Sequence, residues 1–182
     1  MMLGMVFTEF LEMVEQRFSP ELADQMLTQT TLANDGAYTA VGYYPYAEMQ
    51  ALLATLSRLT GNSVPALLQD YGEYLFRRFV ELYPEMFEHC RDSFDLLSQV
   101  DGHVHREVHK LYPQAQLPVF ETLTHTPACL VLEYRSSRGL ADLAEGLIRG
   151  CIEHYGERNG VQRVDLPARE GLSITRFEIT RP

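Results

Sequence analysis

A histidine followed by a row of three polar side chains is the pattern in this chain that best predicts chemistry. His105 lies in an amphipathic stretch, and Tyr134, Ser136 and Arg138 follow it at alternate positions. Residues two apart on an extended strand face the same side, with a rise of about 3.3 Å each. The row therefore presents a phenol, a hydroxyl and a guanidinium together, and the guanidinium is suited to bind a carboxylate through two hydrogen bonds.

His105 is predicted to face the apolar side of its helix. At about 100° per residue, Val104 and Val108 lie within one helical step of it, and Phe94 and Tyr112 project nearly alongside. An imidazole on an apolar surface can ligate haem iron, and a carboxylate-binding row can hold the haem propionates. Taken alone, such a histidine is more often a core residue bonded to a backbone carbonyl, so the helix by itself leaves both interpretations open.

Two further histidines belong to the same predicted helix. His103 lies about 160° around the helix from His105 and is expected to face solvent. His109 follows His105 by one turn, and two histidines at this spacing can share a metal ion. The metalloprotease motif needs a glutamate directly after the first histidine. Arg106 occupies that position and the glutamate is Glu107, so a zinc hydrolase is disfavoured.

The polar row also has a purely structural interpretation. Such residues commonly end a strand and cap the next helix, and Ser136 or Ser137 could cap the helix expected after Arg138. The two interpretations are compatible with each other.

Taken together and in register, these motifs resemble the H-NOX (haem–nitric oxide/oxygen binding) domain. The resemblance covers nearly the whole chain. It includes the opening Met1-Met2-Leu3-Gly4, the segment from Tyr71 to Phe79 and Pro118 after the histidine helix. It implies that the chain binds haem b.

Specific residue roles follow from this resemblance. His105 would be the iron ligand, and Tyr134, Ser136 and Arg138 would contact the propionates, since all three positions match the family pattern. Other positions around the haem would be apolar, although each is also an ordinary core residue: Val6, Leu75, Phe79, Pro118, Leu143 and Leu147.

Leu143 bears on ligand choice. Family members that bind oxygen stably resemble one another in having a tyrosine at this position, on the distal side of the haem. Bound oxygen is polarised and needs a hydrogen-bond donor, which leucine lacks. The resemblance therefore implies binding of nitric oxide and carbon monoxide rather than stable binding of oxygen. Tyr74 neighbours the distal positions in sequence, and whether it turns into the pocket stays open.

The function implied is that of a stand-alone bacterial gas sensor rather than an enzyme. Its partner would be a separate signalling protein, such as a histidine kinase or a diguanylate cyclase. A peroxidase-like haem enzyme is the alternative, but it would need a distal histidine or arginine as acid–base residue. A third possibility is a ligand-binding or scaffold protein without haem.

Composition bounds these possibilities. The 182 residues, 46% of them hydrophobic and 22% charged, suit a single domain over residues 1–182. A net charge of −10 argues against nucleic acid as a partner. No apolar run approaches the roughly 20 residues that span a membrane. Three cysteines without a paired framework predict a reduced, cytoplasmic setting.

The pattern of elements predicts an α+β fold. A helical half leads into a long histidine-bearing helix, and a C-terminal antiparallel sheet with one packed helix follows. Ser19 and Ser63 are predicted helix caps, Gly61 closes a helix, and a bulge is expected between Ile174 and Phe177. The predicted helices span 4–17, 46–60, 93–112 and 138–155, with others starting after Ser19 and Ser63, and the strands span 119–123, 128–134, 161–166 and 172–180.

Overall fold

Most of the helices lie in the first half of the chain and the longer strands in the second, in a computed structural model that describes residues 1–182. The α-helices are α1 (Gly4–Arg17), α2 (Pro20–Thr28), α3 (Tyr46–Thr60), α4 (Val64–Leu82), α5 (Ser93–Leu97), α6 (His105–Leu111) and α7 (Ala141–His154). The strands are β1 (Met2–Leu3), β2 (Tyr43–Tyr44), β3 (Val119–His125), β4 (Cys129–Ser136), β5 (Gly160–Arg169) and β6 (Leu172–Thr180). The α+β prediction is confirmed.

Local signals set the helix ends in the first half as predicted. The Ser19 hydroxyl accepts the Leu22 amide at 3.1 Å, and Ser63 accepts the Ala66 amide at 3.3 Å. Each hydroxyl satisfies an amide that lacks a partner in the first helical turn. Gly61 ends α3 with a φ of 76°, a left-handed conformation that glycine adopts without strain.

The single long helix predicted over 93–112 is wrong. The segment divides into α5, a π-helical turn over Val100–Val104 and α6. Within this segment the His105 amide bonds to the Val100 carbonyl, five residues back. Gly102 has a low helix propensity and lies inside the turn. His105 is therefore the first residue of a short helix rather than a central residue of a long one.

Four antiparallel strands form the main sheet in the order β3-β4-β6-β5. The bulge predicted between Ile174 and Phe177 is wrong, because β6 pairs with β4 without interruption. The irregularity lies in the neighbouring strand, between Leu166 and Arg169. A small second sheet, β1 with β2, was not predicted from the sequence.

The last helix begins later than predicted. It starts at Ala141 instead of 138, and Leu140 at its cap position makes no side-chain hydrogen bond. The possible capping by Ser136 or Ser137 is therefore not realised. Helix α7 packs mainly against α4 and together with the sheet encloses the second half of the core.

The core consists of two apolar clusters. The first joins α1, α2, α3 and the beginning of α4, with Phe7, Phe10 and Leu56 fully buried. The second joins the sheet, α5 and α7, with Leu132 and Phe177 fully buried. The helices of the structure are all too short or too polar to cross a membrane.

Candidate functional site

A cavity of about 240 Å³ lies where the two apolar clusters meet. Of the 31 residues that line it, 26 are hydrophobic. All ten residues singled out by the sequence lie at its wall: Val6, Leu75, Phe79, His105, Pro118, Tyr134, Ser136, Arg138, Leu143 and Leu147. The fold therefore brings together side chains separated by more than a hundred positions in the chain.

His105 is held at this wall by a carboxylate. Its Nδ1 lies 2.7 Å from Asp101 Oδ1, and its side chain is 17% exposed. Burial lowers the pKa of the imidazole, and the hydrogen bond to Asp101 acts in the opposite direction. A carboxylate only accepts hydrogen bonds, so Nδ1 carries the proton and Nε2 of the neutral ring keeps a free lone pair.

Asp101 was not singled out from the sequence. Its second oxygen, Oδ2, accepts the backbone amide of Phe120 at 3.0 Å. The Phe120 ring lies 6.1 Å from the His105 ring and 5.2 Å from that of Tyr134. The available signal was an acidic residue four positions before the histidine, which places both on one helical face.

Tyr134 and Ser136 project from one face of β4, as alternation predicts, and both are buried. The strand ends at Ser136, so Arg138 reaches the cavity from the turn that follows, and its backbone amide donates to Ser136 Oγ at 3.1 Å. Burial raises the pKa of Tyr134.

The Arg138 guanidinium has only neutral partners. It donates to the Gln116 carbonyl at 2.6 Å, to Gln116 Oε1 at 3.0 Å and to the Met1 carbonyl at 2.5 Å. No carboxylate of the chain forms an ion pair with it, unlike the salt-bridged Arg135 and Arg163. Burial lowers the pKa of Arg138. A half-buried cation without a counter-ion beside a cavity favours an anionic ligand.

The apolar wall depends on close contact between α4 and α7. A Cβ atom added to Gly146 would overlap the Gln69 carbonyl oxygen, and one added to Gly72 would overlap the Leu143 carbonyl oxygen. The two backbones therefore touch where only glycine fits. This contact brings the wall residues of α4 beside Leu143 and Leu147 of α7.

The structure answers the question that the sequence left open about a tyrosine hydroxyl at the cavity. Tyr74 does not line the cavity, and its buried hydroxyl has no hydrogen-bond partner. Tyr83 and Tyr112 do line it, and neither was singled out from the sequence. The Tyr83 hydroxyl donates to Met5 Sδ at 3.6 Å, and burial together with Tyr112 raises the pKa of Tyr83 to about 12.

The other two histidines of this region do not line the cavity. His103 is half-buried, whereas solvent exposure had been predicted, and His109 is exposed. No group of three or more histidine, cysteine or acidic side chains is arranged to hold a metal ion.

The residues present fit a haem. The apolar lining suits a macrocycle, His105 offers a lone pair oriented by a carboxylate, and the unpaired Arg138 suits a propionate. The fit rests on the chemistry of these side chains.

The family model described as Haem-NO-binding matches residues 3–163. Among curated proteins, no relative matches the chain. The solved Fe(II) unliganded H-NOX protein from K. algicida is 34% identical over 100% of this chain and 97% of that one, with a TM-score of 0.89. A solved point mutant of T. tengcongensis H-NOX is 22% identical over 99% and 97% of the two chains, also with a TM-score of 0.89, and shows the fold alone. This chain therefore belongs to the H-NOX family of haem-binding gas sensors.

Proposed function

We propose that this chain senses nitric oxide through a ferrous haem b ligated by His105. The observation that carries the proposal is a half-buried imidazole, fixed by Asp101, at the wall of an apolar cavity that also holds an unpaired guanidinium. A haem held by His105 would supply an iron that can bind a diatomic gas. The surrounding side chains orient the haem and determine which gases stay bound.

The propionates would lie against Arg138, Ser136 and Tyr134. Arg138 carries the only permanent charge among these three residues. Its guanidinium nitrogens already donate to two oxygen atoms of Gln116. A carboxylate would replace neutral carbonyl acceptors with charged ones, which form stronger hydrogen bonds. The role of the residue row is therefore to fix the haem in one orientation.

The apolar wall explains the proposed preference among gases. Val6, Leu75, Phe79, Leu143 and Leu147 all belong to or pack against the first apolar cluster, and none carries a donor. A polarised oxygen ligand would find no hydrogen bond among these residues, whereas nitric oxide needs none. Tyr74 lies away from the cavity lining, in keeping with this preference.

The proposed signal begins at His105. His105 would hold the haem iron, and nitric oxide taken up by the haem would weaken that attachment, so His105 is the residue we expect to be released. Release of His105 would free α6 from the haem, while Arg138 and Tyr134 would continue to hold the propionates. A ligand shifts a conformational equilibrium only when it interacts differently with the two states, and loss of one metal bond provides that difference.

The partner in this proposal is a separate bacterial histidine kinase or diguanylate cyclase that contacts the surface near α6 and the N-terminal helices. Free Cys90, Cys129 and Cys151 agree with a reducing cytoplasm. A peroxidase-like enzyme is less well supported. His105 and Arg138 are the only histidine and arginine at the cavity wall, and both already have proposed roles.

The test compares two single substitutions in purified ferrous protein. His105→Gly should weaken or abolish haem binding, and added imidazole should restore a five-coordinate absorption spectrum. His109→Gly is the matched control, because His109 is exposed and lies outside the cavity. A native protein without a Soret band, or loss of haem in the His109 variant alone, would refute the proposal.

A further inference from the structure

Asp101 uses both oxygens of its carboxylate beside His105 at the cavity wall. Oδ1 lies 2.7 Å from His105 Nδ1, and Oδ2 accepts the Phe120 amide at 3.0 Å. The π-helical turn Val100–Val104 holds Asp101 one turn before His105. The carboxylate therefore connects the imidazole to the first residues of β3.

This arrangement selects one imidazole tautomer. A neutral histidine can carry its proton on either ring nitrogen, and the partner of one nitrogen decides which. Since the carboxylate can only accept, it keeps the proton on Nδ1 and leaves Nε2 as the donor to a metal. It also increases the electron density of the ring, which strengthens Nε2 as a ligand.

The same contact restricts how the ring rotates. The Phe120 amide belongs to the sheet, where Phe120 pairs with Tyr134 of β4. Through Asp101, the imidazole is therefore held in a fixed position relative to β3 and β4, the strand pair that carries Tyr134 and Ser136. A ring free to rotate would lose part of the alignment between its lone pair and the cavity.

We propose that Asp101 is a positioning residue. Its carboxylate fixes the tautomer and orientation of His105 and would strengthen the bond between His105 and the haem iron. The inference rests on the proposed function, because it concerns the strength of a bond that exists only when haem is ligated by His105. It goes further by naming the group that sets this strength.

The test uses the haem-loaded protein of residues 1–182 with Asp101→Asn. An asparagine has the same shape but a single neutral acceptor oxygen, so it cannot serve His105 and Phe120 as the carboxylate does. Resonance Raman spectroscopy of the ferrous protein should show the iron–histidine stretch at lower wavenumber. The midpoint potential should rise, and haem affinity should fall about 10- to 100-fold, the usual effect of losing such a partner.

Glu107→Gln is the matched control. Glu107 lies two residues after His105, and its substitution changes the net charge by the same amount. Its carboxylate bonds to Lys110 at 2.7 Å and has no contact with the imidazole. The control should leave the iron–histidine stretch at its native position. An Asp101→Asn variant that matches this control would overturn the inference.

A second measurement keeps the inference testable if the asparagine variant does not retain haem. In the native ferrous protein, the paramagnetically shifted proton on His105 Nδ1 should exchange slowly with solvent, because the ring is only 17% exposed and is bonded to Asp101. Exchange as fast as that of free imidazole would refute the contact. Absence of haem from the native protein, or its retention by His105→Gly with an unchanged spectrum, would instead refute the proposed function.

Discussion

Arg138 offers the most direct test of the proposed propionate site. Its guanidinium donates three hydrogen bonds of 2.5–3.0 Å, all to the neutral oxygens of Met1 and Gln116. The guanidinium is therefore available to a carboxylate without first breaking an ion pair. Arg138→Ala removes this charge, and with it the strongest expected contact between the protein and a propionate.

The expected loss can be estimated from the hydrogen bonds involved. A hydrogen bond to a charged group contributes about 1.5–3 kcal/mol, against about 1 kcal/mol for a neutral one. Since about 1.4 kcal/mol corresponds to a factor of ten, Arg138→Ala should lower haem affinity about 10- to 150-fold. Ser136→Ala should lower it only about fivefold, because the serine hydroxyl is neutral.

Haem affinity can be followed by the rate at which the ferric protein loses haem to an excess of apomyoglobin. Arg135→Ala is the matched control, because Arg135 lies on the opposite face of β4 and pairs with Glu121. The control should release haem at the native rate. Equal rates for Arg138→Ala and Arg135→Ala, or a larger effect from Ser136→Ala, would show that Arg138 does not bind a propionate.

Ligand choice, helix packing and signalling can each be tested in the same protein. Leu143→Tyr should add oxygen affinity by supplying a hydroxyl donor, as measured by absorption spectra in air, and a stable oxygen complex of the native protein would contradict the proposed preference. Gly146→Ala should lower the free energy of unfolding by about 1–3 kcal/mol in urea titrations, because its methyl group would overlap the Gln69 carbonyl. Gly102→Ala is its control, since nothing lies within 4 Å of the added carbon. Nitric oxide should change partner activity more than carbon monoxide does, and haem-loaded His105→Gly should resemble the nitric oxide state; equal effects of the two gases would refute release of His105.

Much of the fold follows from local sequence. Apolar side chains at helical spacing, with Ser19, Ser63 and Gly61 as boundary residues, predicted α1, α3 and the starts of α2 and α4 correctly. These features are local because a capping hydrogen bond and a helical stripe involve residues at most a few positions apart. The spacing of His105 from the polar row likewise identified residues that the fold places around one cavity.

Local patterns failed where a regular helix competed with an interrupted one. The apolar stripe over 93–112 is continuous, yet the chain turns at Val100–Val104. Helical periodicity records which side of a segment is apolar, but it does not record whether every backbone hydrogen bond is made. In the π-helical turn Val100–Val104, Asp101 accepts a hydrogen bond from the Phe120 amide of the distant strand β3. The periodicity of residues 93–112 gives no sign of this contact.

The sequence by itself determined the succession of a helical half and a strand-rich half, most helix boundaries in the first half and the residue types of the site. Tertiary structure alone decided the partners of those residues. Asp101 is joined to Phe120 across 19 positions and Arg138 to Met1 across 137, while Gly72 and Gly146 bring two helices into backbone contact. These contacts depend on how distant surfaces pack, and the periodicity of one segment contains no information about the surface that will cover it.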